Sequence, residues 1–245
     1  MSLSKTPRST VRAVLFDLDD TLFDHRASAA EALRRVHRAH DCFRRAPFDD
    51  FERQHALLLE ELHPEVVSGR LGMDDARRER FRRLFVCFGA AAHDALCAEA
   101  AGQYRRQYVD ARRAIAGAAA LLEAVRRRAS IAIVSNNMLQ EQKDKLDYCR
   151  LAAHVDALVV SEETGCSKPD PAIFRVALDA VGARAGEAVM VGDSWSADVE
   201  GARAAGIRPV WFNPMRIASP DPHLRVSELY SLEPTPEVLT VILDG

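Results

Sequence analysis

The run VRAVLFDLDDTLFD, residues 11–24, decides how this chain is built. A greasy stretch ends in three carboxylates within four positions, Asp17, Asp19 and Asp20. Neighbouring carboxylates repel, so such a knot disfavours folding unless a cation or a positive group sits beside it. Either the turn is a solvated loop with no task, or something positive belongs there.

Similar short apolar runs recur further along: IAIVS (131–135), DALVVS (156–161), AVMVGD (188–193) and RPVWF (208–212). They are nearly continuous in hydrophobicity rather than alternating, so both faces of each should be covered, as in a parallel sheet with helices on each side. Helical patterns fill the gaps at 117–128, 138–149, 170–181 and 195–205. Alternation of this kind predicts an α/β fold, a doubly wound, Rossmann-like parallel sheet.

Residues 24–112 break the rhythm. They are rich in Ala, Leu, Arg and Glu, with apolar residues at helical spacing and no strand-like run. MDDARRERFRRLFVCFG, 73–89, opens with acids and stops at a glycine, as a helix should. The expected organisation is therefore a tail at 1–10, flexible and frayed; a catalytic core formed by 11–23 and 113–245; and an all-helical insertion of four or so helices at 24–112.

Ligands of open parallel sheets bind at the carboxyl ends of the strands. After the first strand come Asp17, Asp19 and Thr21; after the second, Ser135, Asn136 and Asn137. A loop after the third carries GCSKPDP with Lys168, and after the fourth comes GDSWSAD with Asp193 and Asp198. Carboxylates gathered on one rim can hold a hard divalent cation such as Mg²⁺. A hydroxyl, backbone N–H groups and a lysine can hold a phosphate, which points to phosphoryl transfer.

These four stretches resemble the motifs of the haloacid dehalogenase-like hydrolase superfamily, in the phosphatase branch with a helical cap after the first motif. DLDDT resembles its D-x-D-x-T, Ser135 its second motif, Lys168 in SKPDP its third and GDSWSAD its fourth. The resemblance covers about 11–24 and 115–215; the helical insertion is similar in position and helical character only. It implies that Asp17 attacks phosphorus to form an aspartyl phosphate and that Asp19 handles the proton. It implies Mg²⁺ held by Asp17, Asp19 through its backbone carbonyl, and Asp193. Ser135 and the Asn136 amide would bind the phosphoryl oxygens, Lys168 would neutralise charge, and Asp198 would orient Lys168 or a metal-bound water. Thr21 would be a structural hydroxyl. The chain departs from the family at Asn137, where Gly is usual; Asn is the side chain that best tolerates positive φ. Trp195, between the two acids of the fourth motif, either packs at the rim or lines the entrance.

The function expected is a Mg²⁺-dependent phosphatase of a small phosphorylated metabolite, with nucleoside monophosphates and sugar phosphates as candidates. The alternatives are a 2-haloacid dehalogenase and an idle homologue that only binds. A phospho-acceptor signalling domain also gathers acids, a hydroxyl and a lysine around an aspartate, but the order of groups and the helical insertion fit it poorly. Asp19 favours phosphate, because a departing halide needs no proton. His25, Arg26 and Arg70 are the insertion's candidates for contacts to a polar leaving group.

Composition narrows the partners. With 33 Lys+Arg against 36 Asp+Glu the net charge is −3, so no basic field suggests a nucleic acid polymer. No apolar run is long enough to span a membrane, and five cysteines without C-x-x-C spacing read as free thiols of a reducing compartment. A cytoplasmic monomer or homodimer is expected. HRAH, 37–40, reads as a solvated basic helix face rather than a zinc site.

Overall fold

The computed structural model describes residues 11–245; the tail expected at 1–10 lies outside them. The described chain falls into two compact units, one made of the residues up to Phe23 together with Ala114–Gly245, the other of Asp24–Arg113.

The first unit is built on a parallel sheet. Strand β1 is Ala13–Phe16, and all four of its residues are buried. After the inserted residues 24–113, the chain re-enters the unit through helix α6 (Ala118–Arg126) and then β2 (Ser130–Ser135). Next come α7 (Leu139–Tyr148), β3 (Ala157–Val160), a single turn α8 (Ser161–Thr164) and α9 (Pro171–Ala180). Strand β4 (Ala188–Gly192), α10 (Gly201–Ala204), β5 (Arg208–Phe212), β6 (Ser227–Leu229) and α11 (Thr235–Leu239) complete it. The strand order is β3-β2-β1-β4-β5-β6, with every pairing parallel. Strand β1 is central because its residues are apolar on both faces and need cover above and below. The order reverses around β1, and such a switch point opens a crevice at the strands' carboxyl ends.

Two readings of the sequence are corrected here. The sixth strand, Ser227–Leu229, has only three residues and one buried side chain, too little for a pattern to announce it. The helix expected at 195–205 begins instead as a wide π-type turn over Trp195–Glu200, in which both Asp198 N–H and Val199 N–H donate to the Ser194 carbonyl. Turns of this width concentrate at functional sites.

The second unit contains α1 (His25–Ala39), the short α2 (Asp41–Arg44), α3 (Phe48–Val67), α4 (Met73–Cys87) and α5 (Asp94–Asp110). Arg113, assigned to the core from sequence, belongs with this unit. Its carbonyl accepts the Asp24 N–H, and its guanidinium pairs with the Asp24 carboxylate at 2.9 Å. Asp24 also caps α1 by accepting from Ala27 N–H. The unit's core is aromatic: Phe43 lies 4.5 Å from Phe51 and 4.7 Å from Phe85 between ring centroids. The two histidines of HRAH are not the solvated groups expected. His37 packs against Phe48 and Phe51 and contacts the Ala46 carbonyl, while His40 packs against Phe43 and Phe85. Arg38 and Ala39, between them, are exposed. Among the described residues no helix is long and apolar enough to cross a membrane.

His55 on α3 is buried beside Arg80 of α4, its Nε2 3.1 Å from the guanidinium. Burial first, and then the positive fields of Arg80 and His25, hold its imidazole well below the ordinary value of 6.5. The folded chain therefore refuses a proton that the unfolded chain accepts below about pH 6.5, so this group withdraws stability as pH falls through that value. Replacing His55 with Leu should flatten the loss: between pH 7.5 and 5.5 the melting temperature of the variant should fall less than that of the parent. An equal fall would remove His55 as the cause.

Candidate active site

The register of the central strands sets the site. Phe16, the last residue of β1, pairs with Ile133 of β2 and Val191 of β4. Asp17 follows at once, and its N–H donates to the Val191 carbonyl, so the aspartate is fixed where sheet gives way to loop. The chain then folds back tightly. The Leu18 carbonyl accepts from the N–H groups of Thr21, Leu22 and Phe23, and Asp20 donates to the Phe23 carbonyl. Asp20 takes φ 63° to make this reversal, a conformation that Asp tolerates better than most side chains.

Asp17, Asp193 and Asp198 each present a carboxylate oxygen within 4.8 Å of one another. Between two of them lies the ammonium of Lys168, 2.6 Å from Asp17 Oδ1 and 2.7 Å from Asp198 Oδ1. Asp17, Lys168 and Asp198 are 7 %, 5 % and 1 % exposed, so their charges meet with little screening. Burial alone would depress the Lys168 ammonium, but the two carboxylates reverse this and hold it above the ordinary lysine value. The Asp17 carboxyl is held well above the ordinary carboxylate value: burial raises it most, Lys168 pulls it down, and Asp198 and Asp193 raise it again. Three acids share this one ammonium. The residual negative charge is what a divalent cation would neutralise, and hard carboxylate oxygens are the donors Mg²⁺ takes. Asp198 has one oxygen on Lys168 and the other on Ser194 N–H at 2.9 Å.

Each member is braced. The Asn136 side chain holds the Lys168 backbone reciprocally, donating to its carbonyl at 2.8 Å and accepting its N–H at 2.7 Å. The expected ligand Asn136 is thus a strut through its carboxamide. The backbone of Asp193 accepts the Trp211 indole N–H at 2.8 Å. Trp195 stacks edge-on against Trp211, with centroids 4.9 Å apart, and its indole donates to Glu200; of the two roles weighed for it, packing is the one observed. Gly192 must lack a side chain, since a Cβ there would stand 2.3 Å from the Asp198 carboxylate. Thr21 is fully buried, and its hydroxyl has no hydrogen-bond partner, so it does not tie the loop as expected of a structural hydroxyl.

Asp19 points into a different set of contacts. Lys145 Nζ reaches its Oδ1 at 2.6 Å and its Oδ2 at 2.8 Å. Gln142 Nε2 donates to Oδ2 at 3.0 Å and to Ser135 Oγ at 2.5 Å, and Asn137 Nδ2 donates to Oδ2 at 3.1 Å. Sequence reasoning missed Gln142 and Lys145. They lie three apart on α7, hence on one face, and they are 0 % and 3 % exposed. The signal was a helix whose inward positions read Gln-x-x-Lys-Leu rather than an apolar stripe. Of the insertion's candidates, Arg70 is an exposed partner of Glu65, His25 Nδ1 lies 2.9 Å from the Tyr108 hydroxyl, and Arg26 is exposed.

A doubly wound parallel sheet with acids, a lysine and a serine at its switch point defines a class of α/β hydrolytic enzymes. The family model of the haloacid dehalogenase-like hydrolases matches residues 11–206, and the chain belongs to that family. It is 34% identical to the phosphoserine phosphatase of Thermus thermophilus, over 89% of this chain and 96% of the relative. Among solved structures it is similar to the magnesium-bound YfnB of Bacillus subtilis, with a TM-score of 0.74 and 27% identity over 94% of this chain and 99% of that one. It is also similar to the 2-haloacid dehalogenase of Pseudomonas syringae pv. Tomato, with a TM-score of 0.63 and 25% identity, covering 94% and 98%.

Substituting Gly192 by Ala drives a methyl into the Asp198 carboxylate and must dislodge it from Lys168. A loss of about 1–3 kcal/mol in unfolding free energy is expected, the range for overpacking a tight site. Denaturant midpoints would check it, and an unchanged midpoint would show that Asp198 yields freely.

Proposed function

We propose that the chain is a Mg²⁺-dependent phosphatase that hydrolyses a small phosphomonoester through an aspartyl phosphate on Asp17. The observation that carries this reading is Asp19: a second carboxylate two residues after Asp17, tied through Gln142 to the hydroxyl of Ser135. A phosphate ester leaves as an alkoxide that needs a proton, whereas a halide leaves without one. The dehalogenase alternative has no use for Asp19.

In the first step an Asp17 oxygen forms a bond to phosphorus, the bond from phosphorus to the ester oxygen breaks, and the Asp19 carboxyl gives its proton to the departing oxygen. In the second, a water oxygen attacks phosphorus, Asp19 takes the water's proton, and the Asp17–phosphorus bond breaks to release phosphate. Lys168 balances charge on Asp17 and on the transferring group as negative charge spreads over its equatorial oxygens. Ser135 Oγ already accepts from Gln142, so its own proton serves a phosphoryl oxygen, alongside the Asn136 backbone N–H. Asp17 and Asp193 would hold Mg²⁺, which supplies, when bound, shielding of the nucleophile from an anionic substrate. Asp198 keeps Lys168 in place.

The inserted helical unit acts in this reading as a cap that contacts the leaving group and excludes water. Because the Thermus relative is named a phosphoserine phosphatase, phosphoserine heads the candidate substrates, followed by sugar phosphates and nucleoside monophosphates.

The test is a panel of these esters with p-nitrophenyl phosphate and 2-chloropropionate. Phosphate release that requires Mg²⁺ and stops with EDTA is expected; chloride release without phosphate release would instead establish the dehalogenase. Inertness toward the whole panel would favour a binding protein. Asp17→Asn should lower turnover at least about 10³-fold, as loss of a nucleophile does, with an unchanged circular dichroism spectrum. Substantial residual turnover would remove Asp17 from that role.

A further inference from the structure

Asp19 sits in an unusual quantity of donated hydrogen bonds for a group that must hand over a proton. Four reach its two oxygens, from three side chains of one short segment, Asn137, Gln142 and Lys145. Two of the three are buried polar groups on a helix, where burial costs unless a specific partner is gained. Lys145 has Asp19 on one side and the ring of Phe23 5.2 Å away on the other. Gln142 shows what the arrangement gives up. Its two amide hydrogens go to Asp19 and to Ser135, and its carbonyl oxygen is left buried with no partner. Turning the amide over would offer Ser135 an acceptor, but it would set an oxygen against the Asp19 carboxylate. The orphaned oxygen is therefore the consequence of serving both groups at once.

We propose that Asn137, Gln142 and Lys145 are positioning residues that hold Asp19 in register with Ser135, so that proton delivery and phosphoryl binding share one rigid frame. This rests on the phosphatase reading above. Proton transfer demands hydrogen-bond reach and alignment, and displacement of a reacting group by about 1 Å can cost about 10²-fold. The cradle supplies that alignment from α7 and the loop before it, with no atom touching substrate except through Asp19 and Ser135. Asn137 gives the chain's departure from the family's glycine a purpose, since only a side chain there can be the third donor.

The experiment compares kcat/KM on two esters, because kcat/KM reports the step in which the ester oxygen leaves. One is the alkyl phosphate turned over best in the panel, whose alkoxide needs the proton. The other is p-nitrophenyl phosphate, whose nitrophenolate departs without it. Lys145→Met should lower kcat/KM on the alkyl ester about 30-fold or more, and on the nitrophenyl ester by less than about threefold. Lys145→Arg, which restores a donor and a charge, should regain most of the loss. In an Asp19→Ala background, Lys145→Met should add nothing on the alkyl ester. Equal losses on both esters, or no loss on either, would overturn the proposal and leave Lys145 a structural cation. If Lys145→Met fails to fold, Asn137→Gly, at a half-exposed loop position, reads the same contact. A selective loss of about threefold or more on the alkyl ester supports the cradle, and an unselective loss or none overturns it. A parent protein that hydrolyses neither ester overturns the phosphatase reading itself, an outcome distinct from an active parent with insensitive variants.

Discussion

The ammonium of Lys168, enclosed between Asp17 and Asp198, is the interaction on which the rest of the site depends. Removing one partner from a buried ion pair costs about 3–5 kcal/mol, because the charge left behind has neither water nor counterion. The site is arranged so that this does not occur. Asn136 fixes the backbone of Lys168 from the adjacent strand end. Gly192 leaves space for Asp198, and Ser194 N–H satisfies its second oxygen. Gly201 lets the Lys168–Pro169 segment approach, since a Cβ there would stand 2.9 Å from Pro169 Cα. Residues from four loops are thus held to one point by charge, and the loops can be irregular elsewhere because that point is overdetermined.

The sheet makes this convergence geometrically cheap. Strand β1 lies between β2 and β4 in space, although each is more than a hundred residues further along the chain. Parallel pairing aligns their carboxyl ends, so whatever follows each strand arrives at one edge without long reaching side chains. Evolutionary freedom then lies in the loops and in insertions after strands, and the helical unit of Asp24–Arg113 is such an insertion. It has its own aromatic core around Phe43, Phe51 and Phe85.

Much of this was legible in the sequence because it rests on local pattern. Continuous apolar runs announced five strands, and the ends of the first four or the loops after them carry Asp17, Ser135, Lys168 and Asp193. What stayed hidden depends on partners that local pattern does not encode. Strand β6 is short and half exposed, so it forms because β5 offers it an edge. Gln142 and Lys145 lie in a polar helical stretch, and no local pattern marks their face as the one that meets Asp19. The Asn136 side chain braces Lys168, because a carboxamide has a donor and an acceptor that a peptide group can match pairwise. The histidines at 37 and 40 looked solvated because arginines surround them in sequence, while in space phenylalanines do.

The two lysines show how one residue type can serve opposite ends. Lys168 is shared by two carboxylates within a surplus of acid, so its charge offsets only part of the negative charge gathered around Asp17. Lys145 is one donor among three around a single carboxylate, so Asp19 stands in a surplus of donors. Two aspartates separated by one residue are thereby placed in contrasting surroundings, and contrast of this kind is how paired carboxylates acquire distinct tasks. The tight reversal at Leu18–Phe23 is what parts them: it follows β1 so closely that Asp17 stays with the β4 side of the sheet while Asp19 meets α7 on the β2 side. A greasy strand can end in acid here because Asp17 meets Lys168 and Asp19 meets Lys145.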